Sequence, residues 1–88
     1  MYDLKEKEAL FRVRRYDLYR SDGLISIVVQ EIIAGESAYR FYAVPSLGGS
    51  PCNQEEYLGA GESETQALQD CLTRIKNVPI QVLFPPPE

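Results

Sequence analysis

The side chains that could do chemistry are few. The 88-residue chain contains no histidine. The side chain that shuttles protons most readily near neutral pH is therefore missing, and with it any Ser–His–Asp or Cys–His nucleophile. Carboxylates stand close together at Glu55-Glu56 and at Glu62 with Glu64. Paired carboxylates do acid–base work only where their surroundings drive their pKa values apart. On a loop, and in the first turn of a helix whose dipole favours an acid, these four read as solvated charges. Two cysteines complete the set. "SPCNQEE" surrounds Cys52 with acids, which raise a thiol's pKa and blunt it as a nucleophile. In this loop Cys52 could be exposed. Cys71 falls on an apolar helical stripe and reads as core. Two thiols without histidine fall short of a closed zinc site. The expectation is a non-enzymatic chain with no catalytic residue, metal ligand or cofactor. An enzyme would need a cleft that brings Glu55, Glu56 or Glu62 to Cys52.

Two features could bind something. Gly59 and Gly61 precede a helix start, where backbone N–H groups can hold an anion. Glu62 and Glu64 flank the same spot and would repel phosphate, and no G-x-x-x-x-G-K-[ST] motif is present. The stretch therefore reads as a helix entry. The second feature is the set Arg12, Arg14, Arg40 and Tyr42, which could lie side by side on an exposed sheet face as an interaction surface. Arginines and aromatics on a sheet are one way to hold single-stranded nucleic acid. The same arrangement serves protein contact.

Charge favours protein contact. Net charge is −4, unevenly spread: residues 1–20 carry six bases against four acids, and residues 21–88 carry three bases against nine acids. An acidic domain is a poor general ligand for phosphates. The expected partner is protein, either a second copy or a small basic chain, with RNA or single-stranded nucleic acid as the alternative. No run of about 18 apolar residues offers a membrane span, and "MYDLKEKEAL" lacks a signal-peptide core, so the expected location is cytoplasmic with no membrane contact.

The elements that must position these residues follow from periodicity. Residues 1–9 read as a frayed lead-in. "LFRVRRYDLYR" has period two, with Phe11 and Val13 on one face and Arg12 and Arg14 on the other. The phase slips at Arg15-Tyr16, where a bulge or strand end would keep one buried face. "SDG" supplies a hairpin turn. "LISIVVQEII" is the strongest strand, apolar enough on both faces to be central or to meet another subunit. "YRFYAVP" is a third strand, with Tyr39, Phe41 and Ala43 opposite Arg40, Tyr42 and Val44, and Pro45 stops it. Residues 45–62 form a long irregular connection, with room for a short strand around 55–60. Ser63 and Gln66 make a capping box, and Ala67, Leu68, Cys71, Leu72 and Ile75 form a helical stripe that Asn77 and Pro79 end. "IQVLF" reads as a last strand and 85–88 as a proline tail. The expectation is a single α+β domain over 1–88, a three- to four-stranded antiparallel sheet with one helix packed on it, in the order β-β-β-α-β.

Pro45, Leu47 and Gly49 form one short motif and Gly61, Glu62 and Ser63 a second, and together they resemble the HicB-like family of small antitoxin-type domains. That family's pattern is a strand, then P-x-L-x-G, then a G-[DE]-[ST] turn into a helix. Pro45, Leu47 and Gly49 match the first motif; Gly61, Glu62 and Ser63 match the second, with Ala67-Leu68 at the start of the stripe. The match spans about residues 39–76. The strand region before it and the loop within it are longer than in the family, and residues 77–88 are not expected to supply the DNA-binding segment that usually accompanies it. The resemblance implies a fold related to double-stranded-RNA-binding domains, oligomerisation, a basic protein partner and no catalytic residue. Combined with the composition, it leads to the expectation of a homodimeric protein-interaction module, a stand-alone HicB-like domain.

Overall fold

The computed structural model describes residues 2–86. It is an antiparallel sheet with one main helix packed on it, an α+β fold. Strand β1 (Leu10–Arg20) pairs with β2 (Gly23–Ala34), β2 with β3 (Phe41–Leu47), and β3 with two short strands laid end to end, β4 (Ser50–Pro51) and β5 (Gly59–Gly61). A 3-10 turn at Glu55–Tyr57 joins the short strands. Helix α1 (Glu64–Ile75) follows, and a one-turn helix α2 (Ile80–Leu83) comes after it.

The hairpins follow from turn chemistry. Ser21-Asp22 link Arg20 to its partner Gly23. Gly48 and Gly49 both adopt positive φ, 57° and 86°, between the paired residues Leu47 and Ser50. Two positive-φ residues in a two-residue loop match the twist of the strands they join, and glycine adopts them without steric cost.

The core lies on one face of the sheet. Ile25, Ile27, Val29 and Ala43 form one buried cluster with Ala67, Cys71 and Ile75 of α1 and Leu83 of α2. Both helices therefore sit on the same face. The helix begins as its sequence dictates: Ser63 Oγ accepts the Gln66 N–H at 3.1 Å. The Gln66 side chain reaches back one residue beyond the cap, accepting the Glu62 N–H at 3.0 Å. α1 lies against β5 so closely that a Cβ on Gly59 would sit 2.2 Å from the Ala67 carbonyl oxygen and 2.5 Å from the Cys71 nitrogen. Gly61 has the same relation to Gln66 and Ala67. The two glycines at the helix entry are there for backbone-on-backbone packing.

Four sequence expectations are corrected. The order is β-β-β-β-β-α with a terminal helical turn, because "IQVLF" folds as α2 and not as a strand. Asp22 Oδ2 accepts the Ile80 N–H at 3.1 Å and caps that turn from the β1–β2 hairpin. Leu83, not Ile80 or Val82, is the residue it buries fully. Pro45 does not stop β3. It lies inside the strand, opposite Ile27, where the pairing edge passes from β4 to β5. Its carbonyl accepts the Cys52 N–H at 2.7 Å, and the ring nitrogen's missing donor falls in the gap between the two short strands. No bulge interrupts β1 at Arg15-Tyr16; its register with β2 shifts only between Leu10 and Phe11, leaving Ile33 without a partner. The phase slip is real, and it means that the apolar residues of β1 change faces along the strand. Finally, Asn77 keeps a negative φ, and α1 ends in a tight turn with Val78 N–H donating to Ile75 O at 3.1 Å. Pro79 holds Val78 out of the helical region.

The close approach of α1 to β5 predicts a graded response to added methyl groups. Gly59→Ala must push helix and strand apart, and it is expected to lower the thermal midpoint by ~5–15 °C, the effect of about 1–3 kcal/mol in a domain of this size. Gly48→Ala meets nothing within 4 Å and carries only the left-handed backbone cost. Calorimetry on both variants checks this. An equal or larger loss for Gly48→Ala would remove close packing as the constraint.

Candidate interaction surface

Alternation along the strands assigns every side chain to a face. Because Ile25, Ile27, Val29 and Ala43 point at the helices, the residues registered beside them do too: Leu18 beside Ile25, Tyr16 beside Ile27, Arg14 beside Val29 and Arg12 beside Glu31. Arg12 and Arg14 thus lie on the helix side, at the end of the sheet where α1 begins. Arg14 Nη1 lies 3.2 Å from Glu64 Oε2, and the Tyr16 hydroxyl donates to the other oxygen of the same carboxylate. Tyr16 and then the Glu64 charge hold the Arg14 guanidinium even further above its ordinary pKa. Arg12 and Arg40 both reach Glu31, at 3.8 and 3.3 Å. The Arg40 guanidinium also stands 5.7 Å over the Phe41 ring, and its backbone N–H donates to Glu62 at 3.3 Å.

Three of the four residues expected on one binding face are therefore brought together, and the fourth is not. Tyr42 lies on the opposite face, next to Gln30 in the register. Its hydroxyl accepts the Tyr39 N–H at 3.2 Å and the Ser37 hydroxyl at 3.1 Å, and its ring meets Tyr39 edge-on at 6.1 Å. Register decides this: Arg12 and Tyr42 sit on strands whose phases relative to the core are opposite. The three guanidinium groups are also already paired with Glu31 and Glu64, which the sequence could not reveal because those contacts span from 9 to 50 residues.

Other sequence-predicted positions have local structural work. Pro45 fills the gap at the strand edge, Leu47 and Gly49 belong to the β3–β4 turn, Gly61 admits the helix, and Ser63 and Gln66 cap it. Cys52, expected in an exposed loop, is buried, with its thiol 3.4 Å from the Leu83 carbonyl. Cys71 is buried beside the Tyr57 carbonyl. Burial first, then the Asp70 charge, pushes the Cys71 thiol from an ordinary 9.0 up to about 12.

Among the described residues no helix lies on the other side of the sheet. In register across it run Val13, Gln30 and Tyr42; then Arg15, Val28 and Val44; then Asp17, Ser26 and Ser46. Phe11 with Ile32 lies at one end and Tyr19 with Leu24 at the other. Val13, Tyr19 and Leu24 are 58%, 79% and 47% exposed. Phe11, Val13, Val28, Ile32, Tyr42 and Val44 lie on neighbouring positions of this face and form one apolar patch, while the polar row of Asp17, Ser26 and Ser46 separates it from Tyr19 and Leu24. A shallow groove of about 440 Å³ runs on the helix side between β1 and α1, lined by Leu18, Leu72 and Ile75 with Arg20 at its end. Arg20 Nη2 donates to Val78 O at 2.6 Å and its Nε pairs with Asp22 at 3.0 Å. No helix of the described residues is long and apolar enough to cross a membrane. Comparison with protein-family models, with curated proteins and with solved structures found no match.

The thiol environment carries its own prediction. With a pKa of about 12, Cys71 is protonated in the fold at pH 8, while the unfolded thiol ionises near 9. Its raised folded pKa favours the fold below about pH 9, and the benefit is lost as pH rises toward 12. The stability gap between wild type and Cys71→Ala is expected to narrow between pH 8 and pH 10.5 in urea titrations. Native protein at pH 8 should label at Cys71 only through unfolding, so fast labelling in the folded state would contradict the burial.

Proposed function

We propose that the chain is a non-enzymatic protein-interaction module whose working surface is the open face of the sheet. The observation that supports this best is the registered apolar patch of Phe11, Val13, Val28, Ile32, Val44 and Tyr42 with no helix over it. A half-exposed apolar sheet face loses unfavourable water contact when another protein covers it. The partner is a protein chain that presents apolar side chains to this patch and basic ones around it. The net charge of −4 favours basic groups on such a partner. The HicB-like reading, with a small basic partner, agrees with this chemistry and rests on Pro45, Leu47, Gly49, Gly61, Glu62 and Ser63.

Nucleic acid suits the geometry less well. Arg12, Arg14 and Arg40 would have to give up Glu31 and Glu64 to bind phosphate, and Tyr42 faces away from them. Stacking platforms need aromatic and cationic groups on the same face. Catalysis is also poorly served, since the Cys52 thiol faces Leu83 in the interior and not the carboxylates of Glu55, Glu56 or Glu62.

The test is affinity purification from the native host with wild type and a Val28→Thr/Val44→Thr variant. The variant keeps β-branched side chains and removes apolar surface. A protein retained in stoichiometric amount by wild type and reduced at least about tenfold by the variant is the expected result. Equal retention by both would move the site elsewhere. A parallel anisotropy titration with single-stranded RNA at low salt is expected to show no binding. Salt-dependent binding lost in Arg12→Ala/Arg14→Ala would favour the nucleic-acid alternative.

A further inference from the structure

β1 is an eleven-residue strand at the edge of the sheet. The opposite edge is divided between β4 and β5, two and three residues long, with the 3-10 turn between them. Only β1 thus offers a long row of unpaired backbone donors and acceptors among the described residues. Natural edges are normally blunted by shortness, proline, bulges or unpaired charge. β1 contains no proline, and its register is unbroken from Phe11 to Arg20. Its cations are offset by neighbouring acids: Arg12, Arg14, Arg15 and Arg20 stand beside Glu31, Glu64, Asp17 and Asp22, so the edge carries little uncompensated charge.

The order of side chains on the open face of β1 is Val13, Arg15, Asp17, Tyr19. This order is complementary to itself when reversed. We propose that β1 pairs antiparallel with β1 of a second copy, across a two-fold axis at Tyr16, so that two five-stranded sheets join into one. In that register Arg15 lies opposite Asp17 of the other copy, and Val13 opposite Tyr19. Both cross-strand pairs are favourable types. The exposure of Val13 and Tyr19, 58% and 79%, falls when each covers the other. On the helix side Arg14 meets Leu18, and Tyr16 meets its own counterpart. Moving the axis by one residue is penalised either way. Centred on residue 15 it sets Arg15 against Arg15, and centred on residue 17 it sets Asp17 against Asp17. Like charges directly opposite are destabilising, so the sequence selects one register.

This deepens the proposed function, because it takes the same open face as a surface for association and names one occupant of its edge. Pairing places the two open faces side by side as one wider surface.

The test is sedimentation equilibrium on the full chain, with circular dichroism to confirm folding. Arg15 and Asp17 are both solvent-exposed on an edge strand, so reversing either leaves the core intact. Wild type is expected to be a dimer at micromolar concentration. Arg15→Asp and Asp17→Arg should each raise the dissociation constant about tenfold or more, by setting like charges opposite one another. The combined variant should return to within about threefold of wild type, because the pair is restored with its polarity exchanged. A monomeric wild type at 100 μM (on the order of the weakest useful pairing), single reversals without effect, or a double variant no better than the singles would each overturn the inference. A monomer that still loses a bound protein through Val28→Thr/Val44→Thr would overturn the dimer and leave the proposed function standing. A dimer obeying the charge cycle, with no protein sensitive to those valines, would do the reverse.

Discussion

The contact on which the other features depend is the near-touching of two backbones, β5 and α1, at Gly59 and Ala67. Neither residue has a side chain large enough to hold the helix away. The helix can therefore lie flat over β5 and β3, and Cys71 and Ile75 drop into the space over Ile25, Ile27 and Val29. The same displacement toward β5 pulls the helix off β1. The far strand keeps its helix-side face only partly covered, which is why a groove opens there and why Glu64, at the start of the helix, can reach Arg14 and Tyr16. Apolar burial holds the sheet and helix together, while tight packing at one pair of small residues sets where the helix lies.

β1 then has two characters. Toward Leu10 its apolar residues, Phe11 and Val13, point to the open face, and its cations point to the acids around the helix entry. Toward Arg20 the assignment reverses, with Tyr16 and Leu18 turned to the core. A strand buried on one face along its whole length would not tolerate this change of phase, since every apolar side chain past the slip would enter water. It is tolerated here because the ion pairs of Arg12 and Arg14 make the helix side acceptable for charge. The open face, in turn, accepts apolar groups. Exposed pairs of this kind contribute ~0–1 kcal/mol each. Their larger effect is to set which groups remain available at the surface.

Local signals were the readable ones. Ser63 and Gln66 announced the helix start three residues apart, and the stripe from Ala67 to Ile75 identified its buried face. The β-branched run from Ile25 to Val29 announced the central strand, and Ser21–Gly23 the hairpin. What escaped depended on partners far along the chain. "IQVLF" alternates like a strand, and four residues are too few to show helical period. Its helical turn is set by Pro79 and by a cap from Asp22, 58 residues away. Pro45 looked like a terminator because the gap between β4 and β5 exists only once both strands are placed. The arginines were correctly separated from Phe11 and Val13. The face they occupy, and the separation of Tyr42 from them, depends on registers that no single strand contains.

The latch between the β1–β2 hairpin and the last helical turn also orders events in time. Arg20 and Asp22 are synthesised 58 residues before Val78 and Ile80, the backbone groups they hold. At about 5–20 residues per second, the nascent hairpin waits roughly 3–12 seconds for them. For most of that interval Ile25, Ile27 and Val29 have no helix to cover them, and until its end Arg20 lacks the Val78 carbonyl that accepts its hydrogen bond. The central strand is therefore made well before the helix that covers it, and its apolar face is closed only after residues 64–75 have been added.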